Sequence, residues 1–281
     1  MANESTYTGI SAVVNSIYEV AFLTAREQSI MPGRVTVFSD TGSSTPRVWT
    51  QYSGGTIATV TEATDMSSQA FTHAAAGTLT PAQYGAQYFL TDQRLASDWA
   101  AARNDAGTDL GQLLGVHVDT NLCGTAIFAG FTGGTVGTAG GTLTWANIMR
   151  ANAYLRAAKA PFPYNVVLRP EQWYYLASAS SGVPTLMVSD SILENIAREF
   201  YVGSWGGMDF FIDANITSGT AAYGGMFSRQ AVALDNRRAF RLETQRDASR
   251  GGGGWELNAT MIYAYGLYRP TFGVGMIGTS A

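Results

Sequence analysis

Trp255-Glu-Leu-Asn-Ala-Thr-Met-Ile-Tyr-Ala-Tyr-Gly-Leu-Tyr-Arg-Pro270 is the stretch from which the rest of the chain is read. Trp255, Leu257, Ala259, Met261, Tyr263, Tyr265 and Leu267 share one parity, with Glu256, Asn258 and Thr260 on the other. Successive strand side chains point to opposite faces, so alternation over some thirteen residues predicts one ribbon of roughly 40 Å at ~3.3 Å per residue. Strands of about five or six residues are the norm. A ribbon of this length suits an elongated, plate-like subunit better than an enzyme built around a pocket.

The composition points the same way. Charged residues make up 14% and hydrophobic ones 46% of 281 residues, against about 25% charged in an average globular chain. A surface so short of charge is best covered by other copies, because obligate interfaces resemble a core cut in half. The formal net charge of −4 and pI near 5.2 supply no basic field for gripping a duplex. Lys159 is the only lysine among 17 basic residues, which excludes any mechanism needing two.

Cys123 stands alone, so no intramolecular disulfide forms, and with only His73 and His117 beside it no Cys/His zinc cage can be assembled. It reads as a buried structural thiol. The N-terminus has neither a basic region nor a continuous apolar run, so no secretory signal is expected. No stretch reaches the ~18 apolar residues of a membrane helix. The Asn-x-Ser/Thr triplets at Asn3, Asn215 and Asn258 therefore carry no glycosylation argument.

Residues 8 to 30 place Ile10, Val13, Val14, Ile17, Tyr18, Ala21 and Phe22 on a helical stripe, closed by Pro32 and Gly33. From Arg34 to Thr91 the texture turns to Thr, Ser, Val, Tyr and Gly. Strands are expected at 34–39 and 47–52, with a loop tip at 54–70 and a clean alternation of Tyr84, Ala86, Tyr88 and Leu90. Asp92 opens a helix through Leu95, Trp99 and Arg103. It is expected to break near Gly107, restart with Thr108 as N-cap and run on through Leu110, Leu114, His117 and Leu122 to Ile127. The glycine-rich run 130–141 reads as a flexible connector and a boundary. Beyond it, a helix at 145–158, a strand at 164–168, a Pro170-initiated helix to about 179, a capping-box helix from Ser191 with Glu194, and a strand at 208–212 make an α/β insertion. Residues 227–234 are ambiguous, 240–244 read as a strand, and 246–254 form a glycine-rich loop into the ribbon.

Catalytic motifs are missing or incomplete. Lys159 sits in Ala-Ala-Lys-Ala-Pro, not in a phosphate-binding loop, and Gly203-Ser204-Trp205-Gly206-Gly207 has the wrong spacing for a nucleophile elbow. His117 falls on the apolar stripe of the spine helix and reads as a satisfied core histidine, while His73 reads as an exposed or interface residue. Asp209 and Asp213 bracket Phe-Phe-Ile and would share a strand face, an arrangement that could serve acid/base or metal chemistry but more commonly reflects solvated carboxylates. The mixed charges of Arg237, Arg238, Arg241, Glu243, Arg246 and Asp247 read as an ion-pair network. No catalytic, cofactor-binding or metal-binding residue is assigned, and no cofactor is expected.

The order of arm, extended β loop, long helix, α/β insertion and long returning strands resembles the major capsid protein of tailed bacteriophages, the Hong Kong 97-like fold, an α+β class. The local matches are Tyr164-Asn-Val-Val-Leu-Arg-Pro170 followed by Glu171-Gln-Trp-Tyr, Thr91-Asp-Gln, and Glu243-Thr-Gln-Arg-Asp247. The resemblance implies an N-terminal arm at 1–33, an extended β loop at 34–91, a peripheral domain with the spine helix at 92–141, an axial domain at 142–235, and long peripheral strands at 236–281. It implies hexamers and pentamers in an icosahedral shell around double-stranded DNA, a portal, and a possible decoration protein. Two departures stand out. Residues 34–91 contain no Lys, so the isopeptide cross-link that some members form is expected to be absent, and the chain starts directly at the arm, which points to a separate scaffolding protein or to a segment already cleaved, the initial Met favouring the former. The rival readings are an encapsulin-like nanocompartment shell and an α/β enzyme using Asp209 or Asp213.

Overall fold

The computed structural model describes residues 29–40, 44–52, 55–66, 68–71, 73–97, 101–178, 201–249 and 252–280. The expected arm helix lies outside them apart from residues 29 and 30, as does the capping-box helix at Ser191. Met31–Gly33 forms a 3₁₀ turn with Met31 buried, so the chain has left any helix by the point Pro32 requires.

The quoted ribbon is strand β11, Gly254–Leu267, and it is the axis of a four-stranded sheet. On one side it pairs antiparallel with β4, Ala82–Thr91, from Gly254↔Thr91 to Tyr263↔Ala82. On the other it pairs antiparallel with β10, Val232–Asp247, which covers both the ambiguous stretch and the shorter strand expected at 240–244. Charged residues concealed the length of β10, because its second half faces water on both sides and carries no alternation. Register shifts between Asn236, Arg238 and Arg241 mark bulges that bend it. β1, Thr36–Ser39, completes the sheet in parallel with the start of β10. The remaining loop strands, β2 at Arg47–Tyr52 and β3 at His73–Leu79, pair among the described residues only with each other.

The helical spine follows β4. Helix α1, Asp92–Ser97, is followed by α2, Ala101–Leu122, which continues through Gly107, Gly111 and Gly115 without the expected interruption. Glycine costs a helix about 1 kcal/mol per residue, and burial of Leu110, Leu114, Val118 and Leu122 on one face outweighs it. Leu110 and Leu114 pack with Leu90, Leu257 and Ala259 across the ribbon, as the three- and four-residue spacing requires. The Tyr88 hydroxyl donates to Asp109, tying helix to sheet. A short helix α3, Thr125–Ala129, starts after Gly124.

The stretch expected to be a flexible connector contains strand β5, Thr135–Gly137, with Val136 buried. A Cβ on Gly137, at φ 83°, would fall 2.0 Å from the Ile277 carbonyl oxygen. The glycines there permit close backbone approach; they do not loosen the chain. β5 edges a six-stranded sheet ordered β5-β12-β9-β6-β8-β7, where β6 is Tyr164–Leu168, β7 Tyr201–Trp205, β8 Met208–Ile212, β9 Ala222–Ser228 and β12 Gly273–Gly278. Every residue of β6 is buried, as befits a central strand covered on both faces. Helix α4, Trp145–Ala157, and helix α5, Pro170–Ser178, contribute Trp145, Ile148, Leu155 and Leu176 to its core beside Tyr164, Phe210 and Met226. Thr144 caps α4 through the Asn147 amide. A second core joins the two sheets, bringing Leu122, Phe128, Val167, Phe211, Phe227, Leu234 and Tyr263 into one cluster.

Candidate functional site

Three places could carry function: the projecting hairpin, the charged hinge at its base, and a buried carboxylate cluster behind the spine. The hairpin of β2 and β3 turns apolar side chains to water. Val48 is 57% exposed, Phe71 69% and Ile57 fully so, joined by Tyr52, Val60 and Met66. Apolar groups gathered this way on a projecting element mark an interaction surface. Tyr52 stacks on Phe71 with ring centroids 5.4 Å apart, and His73 meets both rings edge-on at 4.6 and 5.0 Å. His73 is exposed, one of the two placements expected of it. Between the strands, the Gln69 carboxamide clasps Thr56, accepting from its amide at 2.7 Å and donating to its carbonyl at 2.6 Å. The enclosed segment surrounds a cavity of about 320 Å³ lined by Ile57, Val60, Thr64 and Met66.

A small apolar contact and an ion-pair network fix the hairpin to the body. Trp49 meets Tyr268 edge-on at 5.3 Å near Leu79, Ala233 and Ala264. A Cβ on Gly77 would lie 2.3 Å from the Trp49 indole, so only glycine fits beneath it. Asp235, fully buried, bonds Arg47 at 2.9 Å and Arg237 at 2.8 Å, and the exposed Asp40 meets the same two guanidiniums at 3.0 and 3.5 Å. The mixed-charge run is therefore an ion-pair network, as its pattern indicates. Arg246 pairs with Asp92 at 2.9 Å, and Arg241 pairs with Glu243.

The two carboxylates singled out in sequence do not form a pair. β8 ends at Ile212, leaving Asp209 partly buried on the strand and Asp213 fully buried beyond it. The reading of both as solvated flanking groups fails at Asp213, which is fully buried and whose amide donates to the Leu168 carbonyl, continuing the β6–β8 pairing. Its true neighbours are Asp119 of α2 and Cys123 just past that helix, and one possible ligand atom of each of the three lies within 4.8 Å of the others. The Cys123 thiol donates to Asp213 Oδ2 at 3.0 Å, and the Asn215 amide donates to Oδ1 at 2.8 Å. Burial raises the Asp213 carboxyl to about 8, helped by the hydrogen bond to Asp119 and by that group's charge, against the lowering pull of the Cys123 and Asn215 bonds.

Asp119 was not singled out in sequence, although it stands four residues before Cys123 and both fall on the buried face of the spine. Its Oδ1 accepts from Ser29 Oγ at 3.1 Å and from the amides of Ile30 and Met31 at 2.9 and 2.7 Å, while Oδ2 accepts from Asn215 Nδ2 at 2.9 Å. Cys123 is a buried thiol outside any disulfide, as expected. His117 is half-buried, edge-on to Tyr84 at 4.9 Å and 3.3 Å from Asn121 Nδ2, in keeping with a packed histidine. Burial raises the neighbouring Tyr263 hydroxyl to about 12, against the Asn121 amide, which donates to it at 2.6 Å.

No protein-family model and no curated protein matches the sequence. Solved structures do match. The capsid of Ralstonia phage GP4 superposes with TM-score 0.69 at 13% identity, over 91% of this chain and 92% of that one. The Mycobacterium phage Che8 structure gives 0.68 at 15% identity over 89% and 91%, and the capsid of cyanophage P-SCSP1u gives 0.65 at 14% over 91% and 90%. The agreement covers about nine-tenths of both partners, so this chain has the α+β fold of phage capsid proteins.

Proposed function

We propose that the chain is the major capsid protein of a tailed phage, a structural subunit without catalysis that assembles into hexamers and pentamers of an icosahedral head around double-stranded DNA. The observation that carries this reading is the fold-wide likeness to capsids of several phages at nearly full length in both chains. The low charge content and the apolar hairpin support it, since both call for burial against other copies. By position, residues 1–33 act as the arm, 34–91 as the loop laid over a neighbour, 92–141 with 236–281 as the peripheral domain, and 142–235 as the axial domain at the capsomer centre. The acidic balance suits a shell wall that must not hold packaged DNA tightly. A separate scaffolding protein, a portal and a decoration protein are its proposed partners. The site of action is the virion, with assembly in the host cytoplasm.

Light scattering and negative-stain electron microscopy on the purified chain, alone and co-expressed with the neighbouring genes, test this. Capsomers or closed shells are expected. A persistent monomer in both preparations would overturn the proposal. Nucleic acid inside purified particles separates a phage head from a nanocompartment filled with protein.

A further inference from the structure

Asp119 is the hub at which three distant parts of the chain meet: the segment leading out of the N-terminal region, the spine helix, and the turn after β8. Its two oxygens take four donors, three from Ser29, Ile30 and Met31 and one from Asn215. Asp213 faces it from that turn, with both its own oxygens accepting from Asn215 and Cys123. Two ionised carboxylates in one dry pocket repel strongly, so such pairs hold a proton between them. A metal ion could take the same three ligands, but the carboxylate oxygens are already occupied by protein donors and the thiol is donating its hydrogen.

We propose that Asp119 and Asp213 form a proton-locked clasp that fastens residues 29–31 to the spine helix and the 213–216 turn, and that losing the proton releases them. Among the described residues, the charged and titratable groups near the clasp are few. From the spine they are Asp119 and Cys123 themselves. Beside the turn, Arg169, between β6 and α5, donates to the carbonyls of Ala214 and Ile216 while paired with Glu171 at 2.7 Å. From the anchored segment, Arg34 lies over the Phe211 ring at 4.1 Å. With these cations engaged elsewhere, an ionised Asp213 would sit beside the Asp119 carboxylate with no counter-charge among the described residues.

The sign follows from linkage. Asp213 has an ordinary value of 3.8 and is raised to about 8 in the fold. Its contribution to stability is therefore complete below about pH 4 and is lost as the pH rises to about 8, after which it changes no further. Hydrogen exchange on the full-length chain at the Ile30 and Met31 amides, corrected for intrinsic base catalysis, reads the clasp directly. Protection should fall at least tenfold between pH 7 and 9.5 in the wild type and stay constant in Asp213→Asn, which keeps a neutral donor at that position. Flat protection in the wild type, or an unchanged step in Asp213→Asn, would overturn the proposal. Infrared spectroscopy of the wild type needs no variant: a protonated-carboxyl band present at pH 7 and gone by pH 10 supports the clasp, and its absence at pH 7 refutes it. Both readouts are local and do not depend on whether the chain builds a shell.

Discussion

The inserted six-stranded sheet and the projecting hairpin are both β-structure, yet only one completes itself. The sheet surrounds β6 with neighbours and encloses Tyr164, Phe210 and Met226 beneath two helices. The hairpin has two strands, meets the body through Trp49, Leu79 and a charged hinge, and leaves its apolar side chains in water. An isolated two-stranded hairpin is marginal on its own. The contrast teaches where the chain's stability is internal and where it must come from another molecule.

The largest effect should come from cutting the self-sufficient side. Phe210→Ala removes a fully buried ring and is expected to destabilise the chain by about 3–5 kcal/mol in chemical denaturation. At the hinge between the two regions, Asp235→Ala leaves the buried Arg237 with only the exposed Asp40, at 3.5 Å, and is expected to cost about 3 kcal/mol. It should also raise proteolytic cleavage in the hairpin. The spine lies between the extremes. Gly111 faces open space, so Gly111→Ala should stabilise by about 0.5–1 kcal/mol, seen as a higher denaturation midpoint. On the hairpin, Val48→Ser or Phe71→Ser should change folding stability by less than about 0.5 kcal/mol, while lowering the assembled fraction in sedimentation.

The same contrast explains what could be read in advance. β11 announced itself because one face of the ribbon is apolar along its whole length, and the alternation survives in the buried Leu257, Ala259 and Tyr263. β10 did not, because beyond Arg238 it faces water on both sides and its pairing rests on backbone hydrogen bonds that leave no side-chain signature. The glycines of 130–141 and of the spine misled for opposite reasons: in β5 they allow strands to touch, and in α2 they are tolerated because the leucine face is buried. The clasp was half legible. Asp213 carried a signal, but its partner comes from 94 positions earlier in the chain, and only the register of α2 against the turn after β8 shows that Asp119 and not Asp209 meets it.

Sedimentation velocity of the wild type beside a Val48→Ser, Ile57→Ser, Phe71→Ser triple variant tests most directly whether the hairpin is completed by another copy. The wild type should sediment as capsomers or shells, and the variant as a folded monomer of 29.9 kDa with an unchanged circular dichroism spectrum. A wild type that stays monomeric, or a variant that assembles as well as the wild type, would contradict the account.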